Sequence, residues 1–343
     1  MKISIHALLL FFLLLQINTT VLSQKLSQKQ FPESQMLQAG VWKDTDGHFI
    51  NAHGGGILYH QGTYYWYGEI KKQKILLAGQ KQDSYRVKAS GISCYSSKDL
   101  KSWKFEKTAL TTTSSDDLSD LDTGRVIERP KVIYNQKTRK FVMWMHMDNK
   151  DFSLSSAGVA VSNNPEGPFQ YLGSIKPNGL DTGDVTLFRD DDGSGYLISA
   201  SSDNSTVFIS RLSDDYLAVT GQYLRISDGR QRSAPVLFKY GKKYYLITSN
   251  VLRWNPGTSS YAVSDTLLGA WKEMGNPCIG PFSETTFSSQ GTFVLPIDPK
   301  NGKFLFMADR WNQTDPESSR YLWLPMEVKG DVINIMWSAK VPD

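Results

Sequence analysis

The feature that most constrains this chain is a unit of short strands that recurs five times. Five aromatic or apolar runs read as second strands of hairpins: Gly62-Thr63-Tyr64-Tyr65-Trp66-Tyr67, Lys140-Phe141-Val142-Met143-Trp144-Met145, Gly195-Tyr196-Leu197-Ile198-Ser199, Lys243-Tyr244-Tyr245-Leu246-Ile247-Thr248 and Lys303-Phe304-Leu305-Phe306-Met307. A turn with glycine or charged residues precedes each, and a short apolar run precedes the turn, as in Val185-Thr186-Leu187-Phe188 before Asp190-Asp191-Asp192-Gly193. Asp-Gly supplies the backbone conformations a tight hairpin needs. A third and a fourth short run follow each hairpin, for example Gly158-Val159-Ala160-Val161-Ser162 and then Phe169-Gln170-Tyr171. No segment carries a capped 3.6-residue apolar period, so little helix is expected. Four-stranded units repeated about an axis predict an all-β fold, a five-bladed β-propeller with four-stranded antiparallel blades. A β-sandwich with irregular hairpins is the alternative, and the regular four-strand beat argues against it.

The rest of the chain narrows its class. Residues 1–23 read as a secretory signal peptide, with Lys2 before an apolar core from Leu8 to Leu15 and Val21-Leu22-Ser23 as the cleavage region. Residues 24–38 read as a flexible lead-in, and 39–343 as one propeller domain. A secreted or periplasmic location follows from that reading, and no later run approaches the length of a membrane span. The formal net charge is +4 with basic residues scattered along the chain, which does not form the stripe that nucleic-acid binding requires. Aromatic residues make up 12% of the chain, a composition rich in stacking surface. The two cysteines, Cys94 and Cys278, do not make a disulfide scaffold. No cysteine–histidine cluster has metal-ligand spacing, and the Asp190–Gly193 run lacks calcium-loop spacing, so it reads as a solvated turn. No cofactor or metal is expected, and the protein is expected to be a monomer.

In a propeller the first strand of each blade lines the central channel, and the starts of those strands meet at one mouth. Here they read His53, Glu128, Asp184, Ser233 and Gln290, one polar residue per blade at the same phase. Strand ends are often wet, so any one of these residues means little; five in phase imply a shared site. Glu128 and Asp184 suggest carboxylate chemistry on a sugar, since glycoside hydrolysis uses two carboxyl groups. Trp254 and Trp311 lie among Asn, Pro and Arg and suit loop positions that stack on sugar rings, whereas Trp66 lies in an apolar run and suits the core. Glu69 ends the second strand and either binds a sugar hydroxyl or pairs with a cation such as Arg129.

These motifs resemble glycoside hydrolase family 43, and most of all its exo-β-1,3-galactanase branch. The resemblance rests on Ala52-His53-Gly54-Gly55-Gly56-Ile57 with Tyr64-Tyr65-Trp66-Tyr67-Gly68-Glu69, Glu128-Arg129-Pro130-Lys131-Val132, Asp184-Val185-Thr186-Leu187-Phe188, Ser289-Gln290-Gly291-Thr292-Phe293 and Asp309-Arg310-Trp311-Asn312. It implies a five-bladed propeller, an inverting and exo-acting hydrolase, and a galactan-type oligo- or polysaccharide as partner. It implies that Asp184 orients the general acid and tunes its pKa, that Gln290 holds the water, and that Glu128 binds substrate. His53, Glu69, Arg129, Trp254 and Trp311 are the further substrate-binding candidates. The family's general-acid Glu lies in an Arg-Glu-Ala-Pro stretch, and here that stretch is Arg232-Ser233-Ala234-Pro235. His53 stands where most of the family has its Asp base. A serine hydroxyl does not protonate a leaving alkoxide near neutral pH, and general acid catalysis is worth about 10²–10⁴ in rate. Three expectations therefore stand side by side: a glycan-binding propeller that does not cleave, a hydrolase with Glu128 or Glu284 as stand-in acid, and an enzyme that acts only on substrates with good leaving groups.

Overall fold

The protein is described by a computed structural model over residues 41–76, 85–113, 120–252, 255–312 and 315–339. Its strands pair into five antiparallel sheets in chain order. Blade 1 holds β1 (His53–His60), β2 (Thr63–Leu76), β3 (Tyr85–Ser97) and β4 (Lys104–Leu110). Blade 2 holds β5 (Val126–Asn135), β6 (Lys140–Asp148), β7 (Ser156–Ser162) and β8 (Gln170–Ile175). Blade 3 holds β9 (Val185–Arg189), β10 (Gly195–Ala200), β11 (Val207–Leu212) and β12 (Val219–Ile226). Blade 4 holds β13 (Arg232–Tyr240), β14 (Lys243–Leu252), β15 (Asn255–Ser264) and β16 (Lys272–Gly275). Blade 5 holds β18 (Gln290–Asp298), β19 (Lys303–Arg310), β20 (Arg320–Lys329) and β21 (Val332–Met336), with the two-residue β17 (Cys278–Ile279) added in parallel on its outer edge. The five-bladed all-β expectation holds.

Each sheet is apolar on both faces because each packs between two others. The buried apolar residues accordingly fall into five clusters, one per blade interface. Among the described residues no strand is shared between the first and last blades, and side chains pack across that junction. Trp66 and Trp103 of blade 1 pack on Trp323 and Tyr321 of blade 5. Trp42, on the segment before β1, sits against Trp323 with ring centroids 4.7 Å apart. Trp66 is thus core, as the apolar run around it implies.

Three features differ from expectation. Strands β2 and β3 extend well past the sheet, and their register continues as far as Leu76 opposite Tyr85. On β2 the stretch opens with the polar run Lys71-Lys72-Gln73-Lys74, which carries no apolar pattern, although Tyr85-Arg86-Val87-Lys88-Ala89 on β3 alternates apolar and polar residues. The fifth strand of blade 5 is two residues long and carries no pattern of its own. The acidic turn after β9 is more than a solvated hairpin, since Asp190 accepts hydrogen bonds from Lys239 and Tyr244 of blade 4, both at 2.6 Å. Cys94 and Cys278 are free and buried, in the interfaces between blades 1 and 2 and blades 4 and 5 respectively. No helix is long and apolar enough to cross a membrane among the described residues.

The inner strands β1, β5, β9, β13 and β18 enclose a cavity of about 300 Å³ towards their far ends, lined by residues such as Ile57, Val132, Leu187, Leu237 and Val294. Their near ends carry the polar residues and are irregular. In four of the five, one extra residue is inserted there relative to the neighbouring strand: between His53 and Gly56, Glu128 and Lys131, Ser233 and Val236, and Gly291 and Phe293. Such bulges bend a strand and re-aim its side chains. In three of them the residue after the polar one is left-handed: Gly54 (φ 62), Arg129 (φ 56) and Ala234 (φ 51). Only glycine suits the first, because a Cβ on Gly54 would lie 2.6 Å from Glu69 Oε1. Gly55 meets a different limit, since its Cβ would lie 1.8 Å from the Tyr67 carbonyl oxygen.

Candidate active site

Glu128, Ser233 and Gln290, beside the bulges of their strands, meet Asp184, which stands just ahead of the regular β9, at one opening around Arg129. Arg129 is buried on β5, and its donors reach two other blades. Nε lies 3.2 Å from Asp184 Oδ1, one terminal nitrogen donates to the Gly291 carbonyl at 2.7 Å, and the other donates to Gln290 Oε1. The second oxygen of Asp184 accepts from the Ser233 hydroxyl and from the Ala234 amide at 2.9 Å. Burial alone would raise the Asp184 pKa; Arg129 foremost and then the Ser233 hydroxyl hold it below the usual carboxylate value. Asp184 is therefore a fixed anion. It is the wrong group to carry a proton to a leaving oxygen near neutral pH.

Gln290 is held as firmly. Its Oε1 accepts from Arg129 and also from Trp311 Nε1 at 3.1 Å. Two donors on the oxygen fix the amide orientation and use both lone pairs, which leaves the NH₂ group to bind a water or a sugar oxygen by donation. In that arrangement Gln290 can hold a water and does not take its proton.

A second layer lies behind these residues, directly across the ladder on each blade's second strand. Glu69 pairs with His53, His146 with Glu128, Ser249 with Ser233, and Asp309 with Gln290. Glu69 Oε2 accepts from Lys71 Nζ at 2.9 Å, and its Oε1 is buried without a hydrogen-bond partner. Burial lifts the Glu69 carboxyl to about 7 in spite of Lys71. The cation beside Glu69 is thus Lys71, where the sequence suggested Arg129, because the alternation of β2 places Lys71 on the same face two residues on. Lys71 Nζ also lies 3.9 Å from the centre of the Trp311 ring, so a cation occupies one face of that indole. Glu128 is the most open carboxylate of the group, with its side chain about one third exposed (33%), and His146 Nδ1 lies 3.6 Å from it.

His53 departs from expectation. Its ring is buried, stacked on Tyr321 at 4.8 Å and 3.6 Å from Asp309 Oδ2, and burial lowers its pKa. Asp309 also accepts from the Gly54 amide at 2.6 Å. His53 therefore braces the bulge of β1 behind the pocket surface instead of lining it, because the glycines after it let the strand pass close to β2. Trp254 lies outside the described residues. Glu284 is exposed on a short 3₁₀ turn, Ser283–Thr285, whose Glu284 carbonyl accepts from Thr258 on β15. No group of three or more His, Cys, Asp or Glu that could hold a metal occurs among the described residues.

Sequence reading missed Lys71, Lys131, His146 and Asp309. Lys131 is buried beneath the mouth and donates to the Gly54 carbonyl at 2.8 Å, tying the bulges of blades 1 and 2; burial lowers its pKa to about 7. A signal for three of the four existed. His146 and Asp309 lie opposite site residues in the ladder, and Lys71 lies two residues beyond Glu69 on one strand.

Residues 56–307 match the family model of the glycosyl hydrolases family 43. Among solved structures, a β-1,3-galactosidase of that family bound to galactodeoxynojirimycin is 38% identical with a TM-score of 0.81, over 88% of this chain and 99% of that one. The exo-β-1,3-galactanase from Phanerochaete chrysosporium, solved with β-1,3-galactotriose, is 34% identical with a TM-score of 0.79 over 88% of this chain. The exo-β-1,3-galactanase from Clostridium thermocellum is 35% identical with a TM-score of 0.77 over 88% of this chain. This chain spans 66% and 65% of those two enzymes respectively. No curated protein matches the sequence. With 38% identity over 88% of its length and a family match from residue 56 to residue 307, this chain is a member of glycosyl hydrolase family 43.

Proposed function

We propose that this protein is a galactoside-directed member of family 43 that grips the non-reducing end of a β-1,3-galactan or related glycan and cleaves it only when the leaving group needs no acid. The observation that carries the reading is the grip on Asp184: Arg129 on one oxygen, Ser233 and Ala234 on the other. The groups that would hold and polarise a sugar are present, and the position from which a carboxylic acid would protonate the leaving oxygen is a serine already spent on Asp184. Turnover, where it occurs, is exo and inverting. The reading includes export, supported by Lys2 and the apolar run Leu8–Leu15, and a monomeric protein.

A second reading, a glycan-binding protein without turnover, is favoured by Gln290, whose oxygen is saturated by two donors and cannot act as base.

The test compares β-1,3-galactobiose with 2,4-dinitrophenyl β-galactoside. The first reading expects hydrolysis of the dinitrophenyl glycoside and little of the disaccharide, and Ser233→Glu then raises the disaccharide rate by about 10²–10⁴. Tight binding of galactotriose without release from either substrate favours the binding protein. Neither binding nor cleavage of any galactoside overturns both.

A further inference from the structure

Behind Glu128 lies a row of three ionisable groups on two strands of blade 2. Glu128 faces His146 across the β5–β6 ladder, and Asp148 follows His146 on the same face of β6. His146 is buried, with Nδ1 3.6 Å from Glu128 Oε2 and Nε2 3.1 Å from Asp148 Oδ2. Both ring nitrogens thus face carboxylates. A neutral imidazole has one N–H and one lone pair, so one of the carboxylates would face a lone pair. Only the doubly protonated ring turns an N–H towards each, in a hydrogen bond at Nε2 and in an ion-pair contact, beyond hydrogen-bond distance, at Nδ1. Asp148 is anchored in turn, since its other oxygen accepts from the backbone amides of Asn149, Leu154 and Ser155 at 2.8, 2.9 and 3.1 Å. The row therefore runs from a backbone-fixed anion, through a buried cation, to the partly open carboxylate at the mouth.

We propose that His146, held as an imidazolium by Asp148, is the positioning residue that keeps the Glu128 carboxylate charged and oriented as an acceptor for sugar hydroxyls. The proposal rests on the galactoside reading for what Glu128 contacts, but the clasp itself does not depend on it. The neighbouring charges set how much the clasp is needed. Lys71 on β2 attracts Glu128, while Asp184, ahead of β9, and Glu69 on β2 repel it. A nearby anion favours protonation of a carboxylate; Asp184 plays that part throughout, Glu69 only as pH rises past about 7, and the imidazolium offsets them. In keeping with this, the Asp148 and Glu128 carboxylates hold the His146 ring charged up to about 9 against the effect of burial, and Glu128 lies below the usual carboxylate range. The site then presents a carboxylate acceptor through the mildly acidic range, where Asp184 is the anion that the imidazolium offsets.

Two variants separate this from a merely structural role. His146→Gln removes the charge. Asp148→Asn keeps an oxygen for the three backbone amides and turns the group facing Nε2 into a donor, which drives the ring to its neutral form. The carboxyl of Glu128 is followed by carbon-13 NMR, and binding of β-1,3-galactotriose by calorimetry, from pH 5 to 9.5. Because the trisaccharide is uncharged, any pH dependence belongs to the protein. The expected result is an upward shift of the Glu128 titration in both variants, with affinity at pH 5 lowered about tenfold or more, as for loss of a charge-assisted hydrogen bond, and partly restored at pH 8. A Glu128 titration unmoved by either variant overturns the proposal, even if the melting temperature falls. Wild-type protein that binds no galactotriose while Glu128 shifts as expected leaves the clasp standing and removes the galactoside reading.

Discussion

The two sides of the mouth are built differently. On blades 1, 2 and 5 the residue at the start of the inner strand is backed across the ladder by an ionisable partner: the buried His53 by Glu69, and at the mouth Glu128 by His146 and Gln290 by Asp309. On blade 4 the same two places hold Ser233 and Ser249. Both are buried, and neither can store or deliver a proton near neutral pH. The first side has what is needed to hold a polar ligand in a fixed orientation; the second has kept the bulge and the left-handed residue of its blade but carries no acid. Positioning and proton transfer are thus separable in this fold. The geometry that aims a residue is set by the backbone, and the chemistry by the one side chain it aims.

The largest effect should come from restoring the missing chemistry. Ser233→Glu should raise hydrolysis of β-1,3-galactobiose by about 10²–10⁴, read as galactose release, with little change for a dinitrophenyl glycoside. An unchanged disaccharide rate would mean that the blade 4 side lacks more than its acid. Next is Arg129→Met, which strips Asp184 and Gln290 of their shared anchor. It should cost about 3–5 kcal/mol of unfolding free energy, read from denaturant titration, because a buried anion loses its partner, and should abolish galactotriose binding. Retained binding would show that the two sides do not depend on that anchor.

A pH series gives a smaller and more specific effect. The His146 pKa is raised from 6.5 to about 9 in the folded protein. Its contribution to stability is therefore fully present below pH 6.5 and lost as pH rises through about 9. The melting-temperature difference between wild type and His146→Gln should be largest near pH 6 and close up above pH 9.5; a constant difference would assign His146 to packing alone. The smallest effect is expected from Ala234→Gly. Relief of a left-handed non-glycine residue and the greater entropy of the unfolded glycine oppose each other, so the change should stay within about 1 kcal/mol, with the grip on Asp184 intact. A large loss would mean that the alanine methyl packs against something the grip requires.

The blade count and the inner, apolar strands were legible because burial on both faces leaves a plain mark in composition. The phase of the five mouth residues was legible for the same reason, as each sits just before such a run. The β2–β3 extension was not, because Lys71–Lys74 on β2 is a polar run and the alternation of Tyr85–Ala89 on β3 has no apolar partner pattern to answer it. Asp190 looked like a solvated turn residue because its partners, Lys239 and Tyr244, lie about fifty positions away. His53 looked like its four counterparts, yet the glycines after it draw the strand inward and bury the ring.

The sequence by itself determined the repeat, the family and the serine at Arg232-Ser233-Ala234-Pro235. These are local patterns, readable along one strand at a time. Only the tertiary structure decided which charges meet. Arg129 joins Asp184 and Gln290 from different blades, and His146 lies between Glu128 and Asp148. Those contacts depend on the bulges and on the closing of the ring. In a buried site a charge is stable only beside its partners, and where the partners lie is a property of the folded chain.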